Sequence, residues 1–459
     1  MDSPIVLIPI ATIFVVAVLS KRTLVALLCG LIVASTILAG NITGIVPNVF
    51  TYVYSSMSNE TAQWLILVIA LFGMLIVLLE RSKSVVEFGN WASKFIKTPR
   101  QALLGTFILG IIVFVDDYLN NLAVGTTMKA ITDKHGIPRT QLGYVVNSAA
   151  APVCIIIPIS TWAVYFAGLF EAEGILVDGS GIGAYISSIP FMFYGWFALI
   201  ILFLQIVGII PKFGLIKKDY ARVAETGDVF PEGTDVVMKA DAQKDADTPD
   251  NAVKPSNPLF FLLPIIILIV VTLVFDKEIL YGVSAAVVFS IIAFAVCRKM
   301  KFGELLTACF DGVLTMGFTI LLTVMAFAVQ GANLDLGLAD YVIALVAPLM
   351  NGGFLPVVVF LFCAIYAFTT GCFWDMAVII TPIVLPLALV MGVNPILAGA
   401  AVFSGAAFGS TTCFYGDAVI LASQACGIRA IDQMRGTLPY AVVAAVLSAI
   451  AFLITGFVL

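Results

Sequence analysis

The sequence predicts an all-α polytopic membrane protein of two inverted-topology repeats. Each repeat has about five spanning helices plus one re-entrant hairpin, with broken helices at the centre. Three observations lead there. The 459 residues are 61% hydrophobic and 11% charged, with a mean hydropathy of +1.11. A polar segment recurs in the two halves. Lysine and arginine fall on one side of the apolar runs in a consistent pattern.

No soluble domain of this length needs so much apolar sequence. Many runs are long enough to cross a bilayer. The net charge of −5 decides little, because placement matters more than sum, and no nucleic-acid partner is expected. The eight cysteines (29, 154, 297, 309, 363, 372, 413 and 426) form no CxxC or metal-ligand spacing. They read as small apolar packing residues without disulfides. One histidine, His135, excludes a histidine-rich metal site. Residues 5–19 lack a basic n-region and an A-x-A site, so they read as a first span rather than a signal peptide.

The chain divides into a first repeat (1–210), a polar linker (211–256) and a second repeat (257–459). In the first repeat, spans are expected near 4–20, 23–40 and 63–80, followed by an amphipathic stretch at 84–98. The linker is low in apolar content and reads as flexible, soluble and partly disordered. In the second repeat, spans are expected near 258–275, 279–297 and 311–329, then a stretch at 335–350. Each half continues into a polar segment and closes on a long span, at 186–208 and 437–459.

The polar segments are residues 116–163 and 371–419. Leu122-Ala123-Val124 falls on Met376-Ala377-Val378, and Gly136 on Gly392. Ser148-Ala149-Ala150-Ala151 falls on Ser404-Gly405-Ala406-Ala407. Both copies interrupt their hydrophobic runs with Asp, Asn, Ser, Thr, Gly and Pro. Matching interruptions in two halves point to a binding site at the repeat interface.

Basic residues set the sidedness, since cytoplasmic loops carry the lysines and arginines. With both termini outside, Lys21 and Arg22 lie inside, and the loop 41–62, which has no Lys or Arg, lies outside. Arg81, Lys83, Lys94, Lys97 and Arg100 are inside. The chain is basic again at Lys134 and Arg139, so 101–138 reads as a re-entrant hairpin with its tip near Asp116–Asn121. Residues 140–169 then cross outward, and 186–208 return to a cytoplasmic linker. The second half runs the other way: Arg298, Lys299 and Lys301 fall inside, a hairpin at 353–392 enters from outside, and Arg429 and Arg435 fall inside. Of the 23 basic residues only Lys277 is left outside. Five spans per half is odd, so the copies must be inverted. Two fully spanning hairpins, giving fourteen crossings, are the alternative.

Non-helical backbone is tolerated at membrane depth only where protein or water covers it. Two hairpin tips and two broken helices therefore predict a polar centre with free dipole ends. The broken helices are 140–169, with Asn147, Ser148, Ser160 and Thr161, and 394–424, with Ser404, Ser410, Thr411, Thr412 and Asp417. An intramembrane Asp is costly, so it implies a task. Asp116, Asp117, Asp375 and Asp417 all lie in the repeated segments. Asn121 aligns with Asp375, and Asp417 aligns near Thr161. A carboxylate out of water favours its neutral form, and the same group binds Na⁺ when hydroxyls and water complete an oxygen shell. Competition for one carboxylate is a direct route to cation/proton exchange. Plainer roles stand beside this. Asp116 or Asp117 caps the second limb of the hairpin, the small-residue segments pack helices, Trp162 and Trp374 anchor packing, and Lys129 snorkels.

The residues F-V-D-D-Y-L-N-N-L-A-V-G-T (114–126), S-A-A-A-P-V-C (148–154) and I-P-I-S-T-W (157–162) resemble the NhaC-type Na⁺/H⁺ antiporter family of the ion transporter superfamily. The resemblance implies a scaffold domain, a transport domain with two hairpins, and a homodimer in the bacterial inner membrane, surrounded by lipid. It implies secondary transport driven by Na⁺ or H⁺. Asp116, Asp117, Asn120, Asn121 and Ser148 match the family pattern. C-F-W-D-M-A-V (372–378) matches less well, so Asp375 rests mainly on the internal repeat.

The expected function is Na⁺/H⁺ antiport by alternating access. Asp117 and Asp375 would carry proton or cation. Asn121, Ser148, Ser404 and Thr411 would complete the shell, with Na⁺ at Asp117, Asn121 and Asp375. No cofactor is expected beyond the transported Na⁺ and H⁺. The alternative is Na⁺- or H⁺-coupled transport of a small organic solute, an organic acid or amino acid, since similar proteins exchange malate for lactate or move amino acids. No basic residue stands at the expected centre to hold a substrate carboxylate, which favours a cation. An enzyme is not expected: Tyr415-Gly416-Asp417 lacks the first glycine of a G-x-G-D protease motif, Phe414 standing there.

Overall fold

An apolar run in a bilayer has no hydrogen-bond partner for its backbone except itself, so it closes into helices. The chain follows this rule throughout. The computed structural model describes residues 4–20, 23–94, 96–234, 257–275, 278–338, 341, 351–371, 373–414 and 416–459. No strand occurs among them, only one isolated bridge between Val177 and Ser180.

The first repeat opens with α1 (Ile8–Ser20), α2 (Thr23–Ala39), α3 (Ile45–Ser58), α4 (Glu60–Arg81) and the short α5 (Ser84–Ser93). The hairpin follows as α6 (Pro99–Ile112) and α7 (Asp117–Lys134). The first broken helix is α8 (Arg139–Ile156) with α9 (Thr161–Ala172), and the closing span is α10 (Gly181–Ser188) with α11 (Phe193–Val207). A further helix, α12 (Gly214–Thr226), precedes the second repeat. That repeat contains α13 (Leu259–Val274), α14 (Ile279–Val296), α15 (Phe302–Thr315) and α16 (Gly317–Leu336). Its hairpin is α17 (Leu355–Thr370) and α18 (Phe373–Val390), its broken helix α19 (Pro395–Thr412) and α20 (Asp417–Cys426), and its closing span α21 (Ala430–Val458).

Equivalent helices begin 256 residues apart: Thr23 and Ile279, Pro99 and Leu355, Asp117 and Phe373, Arg139 and Pro395, Thr161 and Asp417. Packing repeats in the same way. Helix α7 lies on α20 and α18 lies on α9, while α8 and α19 each lie on both α11 and α21. Away from them α4 lies on α15 and α3 lies on α16. The contacts therefore exchange under a pseudo-two-fold, as two inverted copies require.

Among the described residues, six helices are long and apolar enough to cross a membrane, or eight if each bent pair counts as one span. The bent pairs are α8 with α9, at 41°, and α10 with α11, at 48°. The expected crossings at 4–20, 23–40 and 258–275 fall on shorter apolar helices. Helix α6 has 14 residues, about 21 Å at 1.5 Å per residue, too short for a hydrocarbon core of about 30 Å. Residues 352–369 of the second hairpin do reach spanning length.

Two features differ from the expectation. The loop 41–62 contains α3, which is the counterpart of α15. The linker is not wholly flexible, since α12 and the residues after it dock on the membrane helices. Thr140 donates to Asp219 at 2.6 Å, and the Arg139 backbone N–H donates to the Val229 carbonyl at 2.9 Å. The Arg139 guanidinium stacks 4.1 Å over Phe230, and Arg429 donates to the carbonyls of Glu232 and Gly233. These partners supply the burial that the segment's polar composition does not advertise. Residues 235–256 and the stretch 342–350 lie outside the described residues.

Candidate functional site

The tip of the first hairpin meets the gap in the first broken helix, and both meet the C-terminal end of α19. Pro158 lacks the N–H that would continue α8. The orphaned carbonyl of Cys154 is taken by the Ser160 hydroxyl at 2.6 Å. The same Ser160 oxygen accepts from Ala163 N at 3.0 Å and caps α9. The gap is then tied to the hairpin tip. Thr161 N–H donates to the Val115 carbonyl at 3.0 Å, and Cys154 Sγ to the Phe114 carbonyl at 3.2 Å.

This arrangement separates the paired aspartates. Asp116 is the N-cap of α7. Its Oδ1 accepts from Tyr118 N at 2.9 Å and Leu119 N at 3.1 Å, and its Oδ2 accepts from Thr161 Oγ1 at 2.9 Å. Asp117 is fully buried in the first turn of α7. It accepts from Trp162 Nε1 at 2.9 Å and has Ser410 Oγ at 3.5 Å. Asp116 is thus held by three donors as a capping group. Asp117 has one close donor and one long contact, which leaves lone pairs for a proton or a cation.

The paired asparagines separate likewise. Asn120 Nδ2 donates to the Gly110 carbonyl at 2.6 Å and the Val113 carbonyl at 3.0 Å, closing the C-terminal end of α6. Its Oδ1 has no partner among the described residues. Asn121 is buried with neither amide atom partnered. One turn of helix separates its position from Asp117. A buried unpaired amide costs roughly 1–3 kcal/mol, so it calls for an explanation.

The second repeat supplies hydroxyls. Ser410 reaches Asp117 as above. Thr411 Oγ1 lies 2.6 Å from Tyr194 OH, and the Thr411 carbonyl accepts from Asn147 Nδ2 at 2.7 Å. Thr412 Oγ1 donates to the Phe408 carbonyl at 2.6 Å, within its own helix. Ser404 is buried with its hydroxyl unpartnered among the described residues. Ser148 lines a small cavity of about 10 Å³ with Tyr144, Tyr194 and Tyr440. Pro152 also leaves the Ser148 carbonyl without its helical donor.

The structure brings Asp116, Asp117, Asn120, Asn121, Thr161 and Ser410 together, and Asn147 joins them through the adjoining Thr411. Ser160 acts as a cap. Asp417 opens α20 and is exposed. Asp375 lies on α18, and its side chain is outside the described residues, as is Tyr415. The uniform 256-residue spacing places Asp375 opposite Leu119 and Asn121 opposite Ala377, two residues from the pairing read in the sequence. Ser148 with Ser404, and Thr161 with Asp417, keep theirs.

Trp162 does more than pack. Besides its bond to Asp117, its ring stacks on Phe373 at 5.3 Å and lies 4.7 Å from Trp374. Its signal was its place directly after Thr161 in the repeated segment. Tyr194 lies outside both repeated segments and carried no signal.

Helices broken at one shared polar centre, in a chain whose apolar spans recur as two inverted copies, are an architecture suited to a multi-pass membrane transporter of the secondary type. The Na⁺/H⁺ antiporter family model matches residues 153–457, and the chain belongs to that family. An uncharacterized protein of Haemophilus influenzae is 26% identical over 98% of this chain and 90% of its own length. The YdaH transporter of Alcanivorax borkumensis, described as having an unusual topology, superposes with a TM-score of 0.61 at 14% identity, covering 90% of this chain and 89% of its own. Neisseria gonorrhoeae MtrF, from a class of antimetabolite efflux pumps, gives 0.50 at 14% identity over 91% and 85%. These two share the fold.

Proposed function

We propose that the protein is a Na⁺/H⁺ antiporter that works by alternating access, with Asp117 taking Na⁺ and H⁺ in turn. The observation that carries this is the pairing of a fully buried, under-bonded carboxylate with the unpartnered Asn121 amide one turn away. A carboxylate oxygen, an amide oxygen and the Ser410 hydroxyl form a hard oxygen set suited to Na⁺. Loss of the ion leaves Asp117 needing a proton, which couples the two fluxes.

In this reading Asp375 and Asp417 serve the second repeat, Ser148, Ser404 and Thr411 complete the shell as the centre rearranges, and Asp116 shapes the tip. Residues 1–210 and 257–459 are the two repeats, with 211–256 cytoplasmic and both termini outside. The hairpins are re-entrant, and the working unit is a homodimer in the bacterial inner membrane.

Asp117→Asn in proteoliposomes tests the assignment. Exchange of Na⁺ that responds to pH is expected to vanish, and full exchange by that variant contradicts it.

A second reading draws on the aromatic group beside Asp117. Trp162, Phe373 and Trp374 form an aromatic surface beside Asp117, of a kind that can pack against the body of an organic solute. Coupled transport of an organic acid or amino acid fits that surface. Na⁺ flux that depends on an added organic solute would favour it.

A further inference from the structure

A second group of oxygens lies away from Asp117, where α9 and α18 meet α16. A cavity of about 30 Å³ lies there, with room for roughly two waters. A smaller one of about 10 Å³ adjoins it, and Glu173, Gln330, Val378 and Pro382 line both. Glu173 is the one ionisable residue among the described lining residues.

Three features make this place short of positive charge. Glu173 sits at the C-cap of α9, where the helix presents its carbonyls and its negative dipole end. Pro382 within α18 has no N–H for the Val378 carbonyl, so that oxygen lacks its helical donor. The buried Asn333 Oδ1 has no donor among the described residues. The Gln330 amide nitrogen meets part of the demand, donating to Glu173 and, at 3.2 Å, to the Ala172 carbonyl.

Other acids nearby are engaged elsewhere. Glu171 accepts from Gly181 N, and Asp335 accepts from Tyr52 OH. The faces of α1, α2 and α18 that line the cavity contribute apolar side chains, and no lysine or arginine occurs among the described lining residues.

We infer that Glu173, Asn333 and the Val378 carbonyl form a second site for a small hard monovalent cation, Na⁺ by its oxygen-only donor set. An all-oxygen shell with a single carboxylate suits a monovalent ion better than a divalent one, which takes more charge. The site joins α16 to the end of α9 through Gln330 and to α18 by packing.

Burial pushes the Glu173 carboxyl up to about 7, with the Gln330 bond opposing that rise.

Purified Asp117→Asn protein isolates the site, whether or not Asp117 exchanges ions. Equilibrium binding of radioactive Na⁺ to that variant is expected at pH 8. Adding Glu173→Gln, an isostere that retains the bond from Gln330 through its amide oxygen, is expected to raise half-saturation about tenfold or more. Adding Asn333→Asp instead is expected to tighten it severalfold, a gain that mere damage to packing does not produce. Absence of Na⁺ binding in Asp117→Asn, or unchanged binding after Glu173→Gln, overturns the inference while leaving the role of Asp117 intact.

Discussion

At the scale of single residues, each pair in Asp116-Asp117 and Asn120-Asn121 divides into a structural member and a free one. Asp116 and Asn120 hold the hairpin tip through hydrogen bonds to backbone and Thr161, whereas Asp117 and Asn121 keep unused capacity. Asn120→Ala breaks two buried bonds and is expected to cost about 1–3 kcal/mol, read as a lowered melting temperature without Na⁺. Asn121→Leu breaks none, so its melting temperature without Na⁺ should hold or rise, while half-saturation by Na⁺ should rise about tenfold, the weight of one lost ligand. Both asparagines stood out in the sequence, but their division did not. It depends on Gly110, Val113 and the broken helix, which only the folded chain brings near.

At the scale of elements, the breaks are built from proline, serine and glycine. Ser160 both caps α9 and satisfies the carbonyl that Pro158 orphans. Ser160→Ala removes both roles and is expected to cost about 1–2 kcal/mol, measured as a fall in the unfolding midpoint in detergent. In the second repeat, α19 presses on α17 through Gly405 and Gly409. A Cβ at Gly409 would stand 2.2 Å from Ala367 Cβ, and one at Gly405 would stand 2.5 Å from Cys363 Cβ. Gly409→Leu is therefore expected to lower stability by at least about 1–3 kcal/mol. Hairpins and broken helices were legible because Gly, Pro and Ser interrupt apolar runs at matched places. The register within α7 and α18 was not, because a two-residue shift still aligns Leu-Ala-Val with Met-Ala-Val. Equal helix lengths remove that ambiguity: both have 18 residues, starting at Asp117 and Phe373. Helix α12 was hidden for another reason. Its polar composition reads as linker, and its order comes from docking on Thr140 and its neighbours.

At the scale of the whole molecule, the 256-residue repeat builds a symmetric frame around an asymmetric centre. Asp116, Asp117, Asn120 and Asn121 correspond in sequence to Cys372, Phe373, Met376 and Ala377 of the second repeat. The first repeat thus supplies the carboxylate and amide, and the second supplies the Ser410 hydroxyl and the aromatic wall. Such a division explains why the two halves have kept one fold while differing where the ion would bind. In the proposed mechanism one buried carboxylate, Asp117, exchanges Na⁺ for H⁺ with no other solute. That mechanism is tested most directly by imposing a pH gradient, acidic inside, across proteoliposomes in buffer free of organic acids and amino acids, and following radioactive Na⁺. Uphill Na⁺ accumulation is expected with the native protein and none with Asp117→Asn. Accumulation that appears only when an organic solute is added, or that persists in Asp117→Asn, would contradict the mechanism.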